Sequence, residues 1–469
     1  MVRSFFIVIY FLISCVCLYS QGEDEKIIVI GDSLLGKVVS GESIREVIGN
    51  VRLKQGNVFV TCDKAIQYLA RNEAELIGNV IAKEDSLTLQ TEKGYYFGNL
   101  KKTKSTSGII LDDTKVVLSA DSGVYFFNEA RAFFQTNVNL IDSTTKLFAD
   151  ELTYFKDLDK SIAVRNVRIN DGNNIITADT LTHFRKSKYS IADGNVSLKN
   201  IKDNITIYGS HLEDNGELKY TLINKNPLLI QIDTTFSTSE DSLEEISIDT
   251  LFIKSKVMEG FRSETNIFKA TDSVKILRGN FASINDLTTY YRDDEKIITD
   301  KIKEDAPRPK LWYENSQLTG DSITIFLEDG QITELAVNEN SFMLSQNKNY
   351  NERFDQTSSD SIYLFFTTNR LRQADFSGKV QSIYYLFDEE EPNGLVKSTA
   401  QKTVIIFENN EVGQVRLYGS PTSEYHPEGK VAGLERTFTL PKFVFSENRP
   451  DKEEFLMNEQ KKDEQYIKK

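Results

Sequence analysis

Apolar and polar positions alternate along this chain in short runs, and the runs themselves recur every 29 residues. From Val51, steps of 29 reach Val80, Ile109, Val138, Val167 and Val196. Asn50, Asn79, Gly108, Asn137, Asn166 and Asn195 precede them, and Leu53, Ala82, Leu111, Leu140, Ile169 and Leu198 follow two places on. An acidic row keeps the same step: Asp63, Glu92, Asp121, Asp150, Asp179. So does an aromatic row: Tyr68, Phe97, Phe126, Phe155, Phe184. Three rows with one period identify an internal repeat. A repeat of this length predicts a stacked, quasi-one-dimensional architecture, because one unit cannot bury its apolar face alone.

The unit 138–166 contains four runs, Val138–Ile141, Lys146–Ala149, Leu152–Phe155 and Ser161–Val164, divided by polar and charged turns. Their β-branched and aromatic alternation predicts about four short strands per unit. No window carries a sustained helical stripe. The predicted fold class is all-β: an elongated stacked β-jellyroll, solenoid-like, built from repeats of about 29 residues, with a second, looser set of the same units. Gly or Asn before each valine suits a corner of positive φ. The acidic row is expected to cap turns by accepting backbone N–H bonds. Val and Leu two apart share a face, which is the inside of the stack. Alternation alone does not assign Tyr125, Tyr154 or Phe155 to inside or outside.

Ile27–Leu34 reads as an opening half-unit, with Gly31-Asp32 at the acidic corner. Past Leu198 the strict step is lost while the unit persists. Asp249, Asp286, Asp321 and Asp360 each begin an alternating strand rich in aromatics, and Gln401 takes the acidic place in one more copy. The expected organisation is a signal peptide over 1–20, a repeat domain over 21–215, its continuation with insertions over 216–306, a second segment over 307–446, and a charged, disordered or loosely helical tail over 447–469. A chain of 469 residues is too long for one globular core, whereas a stack grows its core along one axis.

Arg3, the apolar run Phe5–Ile13 and the small residue Ser20 predict a secretory leader, with Leu12-Ile-Ser-Cys15 as a competing lipoprotein box. Loss of the leader leaves Cys62 alone, so the exported chain has no internal disulfide, and Cys62 reads as a small buried apolar residue. The formal charge of −14, with Lys and Arg scattered, excludes a nucleic-acid partner. No cofactor or metal is expected, and no enzyme. His183, His211 and His426 are far apart, and His183 stands where the repeat has Tyr125 and Tyr154. Zinc spacing, a phosphate loop and a nucleophile elbow are all missing. A carboxylate repeated in every unit reads as structural, because a catalytic pair occurs once.

Gly49-Asn-Val-Arg-Leu53, Gly78-Asn-Val80, Thr136-Asn-Val-Asn-Leu140, Arg165-Asn-Val-Arg-Ile169 and Gly194-Asn-Val-Ser-Leu198, together with Ala120-Asp121, Ala149-Asp150 and Ala178-Asp179-Thr-Leu181, resemble the repeat of OstA-like (LptA-type) proteins. The likeness is strong over 27–215 and looser over 240–420. It implies a β-jellyroll open along one side, a periplasmic location, and acyl chains of lipopolysaccharide held in the apolar interior. It also implies inner-membrane and outer-membrane components of lipopolysaccharide transport as partners. The lipid-binding residues would be the inward ladder: Val51, Leu53, Val80, Ile109, Leu111, Val138, Leu140, Val167, Ile169, Val196 and Leu198. The chain is far longer than a minimal bridge protein and shows no obvious barrel strands, which disfavours the translocon version of the family. Unpaired strand edges predict end-to-end self-association through Ile27–Ile30 and Val404–Tyr418. The alternative is a structural or adhesive β-solenoid with a closed core, binding protein or glycan on its surface.

Overall fold

Most strict repeats fold as two long strands bent in the middle, so the four predicted runs are four half-strands; over 102–126 the same runs are four separate short strands. The computed structural model describes residues 26–238, 244–264, 266–328, 330–367, 370–408 and 411–456; the leader reading over 1–20, with Cys15, lies outside them. Glu42–Gln55, Val58–Tyr68, Glu73–Glu84 and Leu87–Phe97 pair antiparallel in chain order. The bend falls where the register slips. Ile48 pairs with Lys64 and Val51 with Cys62, which sets Gly49 and Asn50 against Asp63 alone. Two residues facing one is a bulge, and it turns the strand sharply. Gly49 and Asn50 take φ of 78° and 48°, Gly78 and Asn79 76° and 46°, as the corner reading requires. The bends divide these strands into halves, and the halves build two walls: a ladder wall carrying Val51 and Leu53, and a facing wall carrying Val47.

The chain divides into two compact units, 1–136 and 137–469. Both are all-β stacks of such bent strands, the fold class read from the pattern. In the first unit Val51, Leu53, Val80, Ile109 and Leu111 are buried on the inner side, while Arg52 and Lys54 between them are exposed. Val47, Ala65, Leu76, Tyr96 and Phe134 are buried on the facing wall. Ile28–Ile30 and Ser33–Val39 both pair with Glu42–Gln55, and Asp32 accepts from Asn50 at their bend, so the opening half-unit is as expected. Tyr125 lies inside. The aromatic row lies outside and half-buried: Tyr68 under Arg71, Phe97 under Lys102 and Phe126 under Arg131, with cation-to-ring distances of 4.2, 4.8 and 4.4 Å.

In the second unit Tyr154 is inside, and Phe155 and Phe184 flank Lys160 outside. The bent-strand rule holds to Ile205–Asn215. There the walls separate: the first half of that strand pairs with Leu228–Thr238 and the second with Tyr220–Asn224. Leu228–Thr238 and Glu244–Lys254 form a long hairpin that joins the ladder wall only at its base. Bent strands resume with Ile267–Arg278 and Phe281–Tyr291, give way to the short strands Lys296–Asp300, Lys310–Tyr313, Ser316–Thr319 and Ser322–Glu328, and return from Gln331–Gln346 to Glu391–Glu408. Asp286 faces the corner Asp272-Ser273, Asp321 faces Asn340, Asp360 lies against Gly378, and Gln401 lies against Gly419, so four of the looser copies are true corners. Asp249 is the exception. It sits in the inserted hairpin opposite Asp233, and Arg278 binds both carboxylates. The insertion moved this stretch away from the bend, and Arg278 offsets the like charges that pairing brought together.

The segment 427–456 runs back over the outside of the ladder wall. Leu440 and Val431 are buried against Phe342, Leu344, Ile383, Tyr385 and Leu395. In the strict repeats such outer positions are polar or, like Ile110 and Ile141, apolar and exposed; here they are buried because a strap covers them. The tail, expected from 447 to be disordered or loosely helical, is helical over 452–456 and packed as far as Leu456. Phe455 is buried and stacks on Phe252 at 5.4 Å, and Arg449 donates to the carbonyls of Asn280 and Glu314. One aromatic among charges suffices, since it finds an apolar face at Leu228 and Phe252.

Candidate functional site

The acidic row does corner work, by a different bond from the one expected. Asn79 Nδ2 donates to Asp63 at 2.9 Å, Asn166 to Asp150 at 2.8 Å, and Asn195 to Asp179 at 2.9 Å. The carboxylate therefore holds the bulged asparagine side chain of the next strand. Backbone capping belongs to another row at the same step, Asp113, Asp142 and Asp171, whose Oδ1 atoms accept N–H bonds from the turns that follow them. That row was visible as an aspartate recurring at 29 ahead of polar turns, and sequence reasoning missed it. The corner row stands away from the inner face, whereas Asp113 of the capping row is buried at the rim of the interior, at the place in its repeat that Gln55 holds in the first.

All eleven ladder residues lie on the inner side. Ten are buried, and Leu198 is half-buried. In the first unit the walls touch. A Cβ built on Gly123 of the facing wall would lie 2.1 Å from Phe134 and 3.0 Å from Ile109 of the ladder. The lips are tied as well. Tyr96 donates its hydroxyl to Gln55 Oε1 at 2.7 Å, Gln55 Nε2 donates to Gly98 O at 3.2 Å, and Gln67 Nε2 donates to Ile27 O at 3.0 Å. Among the described residues of the first unit these bonds hold the lips together at Gln55 and Gln67, against the one-sided opening that the resemblance implies.

The row of Tyr96 continues at the same step through Tyr125, Tyr154 and His183 to Leu212. His183 keeps a packing place: its Nδ1 lies 2.9 Å from Ser190 Oγ, and burial pushes its pKa down while Asp142 pulls part of the way back. At Leu212 the row loses its polar tip, and there the second unit opens. A cavity of about 120 Å³ lies between Leu198, Ile205 and Ile207 of the ladder wall and Ile223, Met258 and Phe268 of the facing wall. Arg262, Arg292, Asn200 and Asp203 border it. Leu198 is the one candidate residue among the eleven that lines it.

Nearer the C-terminus, Ser341, Thr357, Ser359, Ser382 and Ser398 occupy the inward places, all buried. Asp355 shares this face and accepts the Tyr385 N–H at 2.9 Å; burial pushes its pKa up to about 7. The sign follows. A carboxyl with a raised folded pKa binds its proton more tightly in the fold, so its contribution is full below about pH 4 and is lost as pH rises toward 7. Asp355→Asn is expected to remove this loss and raise stability at about pH 8 by roughly 2 kcal/mol. Urea midpoints measured across that range check it; parallel pH profiles for the two proteins would refute it.

Cys62 is buried, its thiol pushed up to about 11 by burial, as suits a packing residue. Among the described residues no group of His, Cys, Asp and Glu is arranged to hold a metal ion, and no helix is long and apolar enough to cross a membrane. Residues 24–179 match the family model described as OstA-like protein. No curated protein matches the chain.

Proposed function

We propose, from the premise that residues 24–179 are an OstA-like segment, that this chain is a periplasmic lipid carrier serving lipopolysaccharide transport to the outer membrane. The OstA-like family is one of transport and binding, tied to lipid movement, and not one of enzymes. The finer role rests on one observation: from Val51 to Leu198 every ladder place is an apolar side chain on the inner face, and the interior opens at Leu198. Burying acyl chain is worth about 0.8 kcal/mol per methylene, so a few chains supply ample gross affinity. The net charge of −14 opposes an anionic lipid, so acyl burial has to dominate.

Lipid passing through the closed stretches must replace wall-to-wall contacts with wall-to-chain contacts. That exchange is apolar for apolar and nearly neutral, which suits sliding. Residues 307–446 would extend the same carriage with a more hydroxyl-rich interior. Inner- and outer-membrane transport components would meet the two ends. The exposed apolar residues Ile28, Ile30, Leu34 and Val38 at one edge, and Val412, Val415 and Tyr418 at the other, support end-to-end pairing of copies. A strict monomer at high concentration in native mass spectrometry counts against that pairing.

The tied lips of the first unit favour a second reading, the closed-core scaffold. Photocrosslinking separates the two. A photoreactive residue at Leu140 or Val167, in protein recovered from its own envelope, should yield lipid adducts. Complete absence of adducts at both sites rejects the carrier and leaves the scaffold.

A further inference from the structure

The cavity beside Leu198 differs from the rest of the interior in three ways. The row of polar-tipped residues ends at Leu212, which is fully buried and offers no hydrogen bond across the lips. The facing wall has no side chain at Gly260, an inward place in register with Thr221 and Phe268; a Cβ there would meet only Thr221, at 3.9 Å. And the border is cationic on the facing wall. Arg262 is already bound to Asp214 and Thr221, at 2.8 and 2.6 Å. Arg292 is half-buried and has no carboxylate partner among the described residues. Of the acidic groups nearby, Glu259 is held outside by the Tyr220 hydroxyl at 2.7 Å, Asp293 by Asn266 Nδ2 at 2.9 Å, and Asp203 belongs to the exposed turn across the opening.

An apolar floor under a half-buried, uncompensated guanidinium is the complement of an acyl chain that ends in an anion. We propose that this cleft is a lateral port: one acyl chain enters between Leu198 and Met258, and its phosphate or carboxylate headgroup rests on Arg292. The port rests on the carrier reading and deepens it, by giving lipid a way in from the side. At about 120 Å³ the cleft is smaller than the roughly 300 Å³ of a small-ligand site, so it takes the end of one chain before the walls part. Guanidinium bonds to phosphate are charge-assisted and directional, which sets anionic amphiphiles apart from neutral ones of the same chain length.

The test is calorimetric titration of the full chain with dodecyl phosphate, and separately with dodecyl maltoside, both below their micelle concentrations. Arg292→Gln should weaken dodecyl phosphate about tenfold and leave dodecyl maltoside unchanged. Gly260→Leu, whose Cβ the backbone accepts, should fill the cleft and weaken both at least tenfold. Unchanged binding of dodecyl phosphate in both variants overturns the port, and so does an equal loss of both amphiphiles in Arg292→Gln. The Leu140 and Val167 crosslinks keep the two readings apart. Adducts undiminished in Gly260→Leu overturn the port while carriage stands. Variants behaving as expected without any ladder adduct support the port and remove carriage.

Discussion

Gly78→Ala is expected to lower the unfolding free energy by about 3 kcal/mol, whereas Gly108→Ala should cost only about 1 kcal/mol. Both glycines are left-handed, with φ of 76° and 79°. An alanine strains the backbone similarly at each, by roughly 1–2 kcal/mol. The surroundings differ. A Cβ on Gly78 would lie 2.3 Å from Asp63 Oδ2, and one on Gly108 meets nothing within 4 Å. Asp63 must then move, and with it goes the 2.9 Å bond from Asn79 that fixes the bend. That adds roughly 1–1.5 kcal/mol for the bond and more for the displaced carboxylate. Urea midpoints of the two variants give the difference, and Gly78→Ala combined with Asp63→Gly should recover only the part due to the displaced carboxylate, because the Asn79 bond is lost in both. Equal losses at the two positions would show that the corner carboxylate does not need the glycine. The same packing recurs at Gly194 and Gly378, where a Cβ would lie 2.4 Å from Asp179 Oδ2 and 2.2 Å from Asp360 Oδ2.

Arg353→Met should release the strap 427–446 at a cost of about 3 kcal/mol. The Arg353 side chain is 4% exposed, and it donates to both Glu428 oxygens, at 3.1 and 2.6 Å, and to Glu435 at 3.3 Å. Its guanidinium also lies about 5 Å from the rings of Tyr350 and Tyr385. Methionine keeps much of the stem but leaves two partly buried carboxylates without a cation, which costs more than the pair itself contributes. The strap would then lift from Phe342, Leu344 and Ile383 and free the backbone beside Lys430, Arg436 and Lys442, whose side chains are already exposed, for cleavage by trypsin. Limited proteolysis should show faster cleavage there than in the parent. Adding Glu428→Gln and Glu435→Gln to Arg353→Met should slow it again. A cleavage pattern identical to that of the parent would mean the apolar face alone holds the strap.

The rows at a step of 29 already located each bend in the strict repeat and put Val51, Val80 and Leu140 on the inner side. Off that step, the form of an acid or amide leading an alternating strand carried the weaker corners at Asp321, Asp360 and Gln401. These features depend on residues close along the chain: a positive φ at Gly78-Asn79, an alternation two residues long, a small residue before an acid. Local chemistry reads them directly.

Other features depend on what lies across the stack. Tyr96 reaches Gln55 over 41 positions, and that bond, with Ile109 standing against Gly123 of the facing wall, ties together two walls whose spacing the pattern left undecided. Asp249 has the local form of a corner, yet the inserted hairpin carries it to Arg278 instead. Phe342 and Leu344 break the inward alternation because a segment about a hundred residues later covers them. Periodicity determined which side chains face inward, since each strand dictates its own pleat. Whether the two walls meet or gape is a matter of side-chain size and hydrogen bonding between different coils, and only the folded stack brings those partners together.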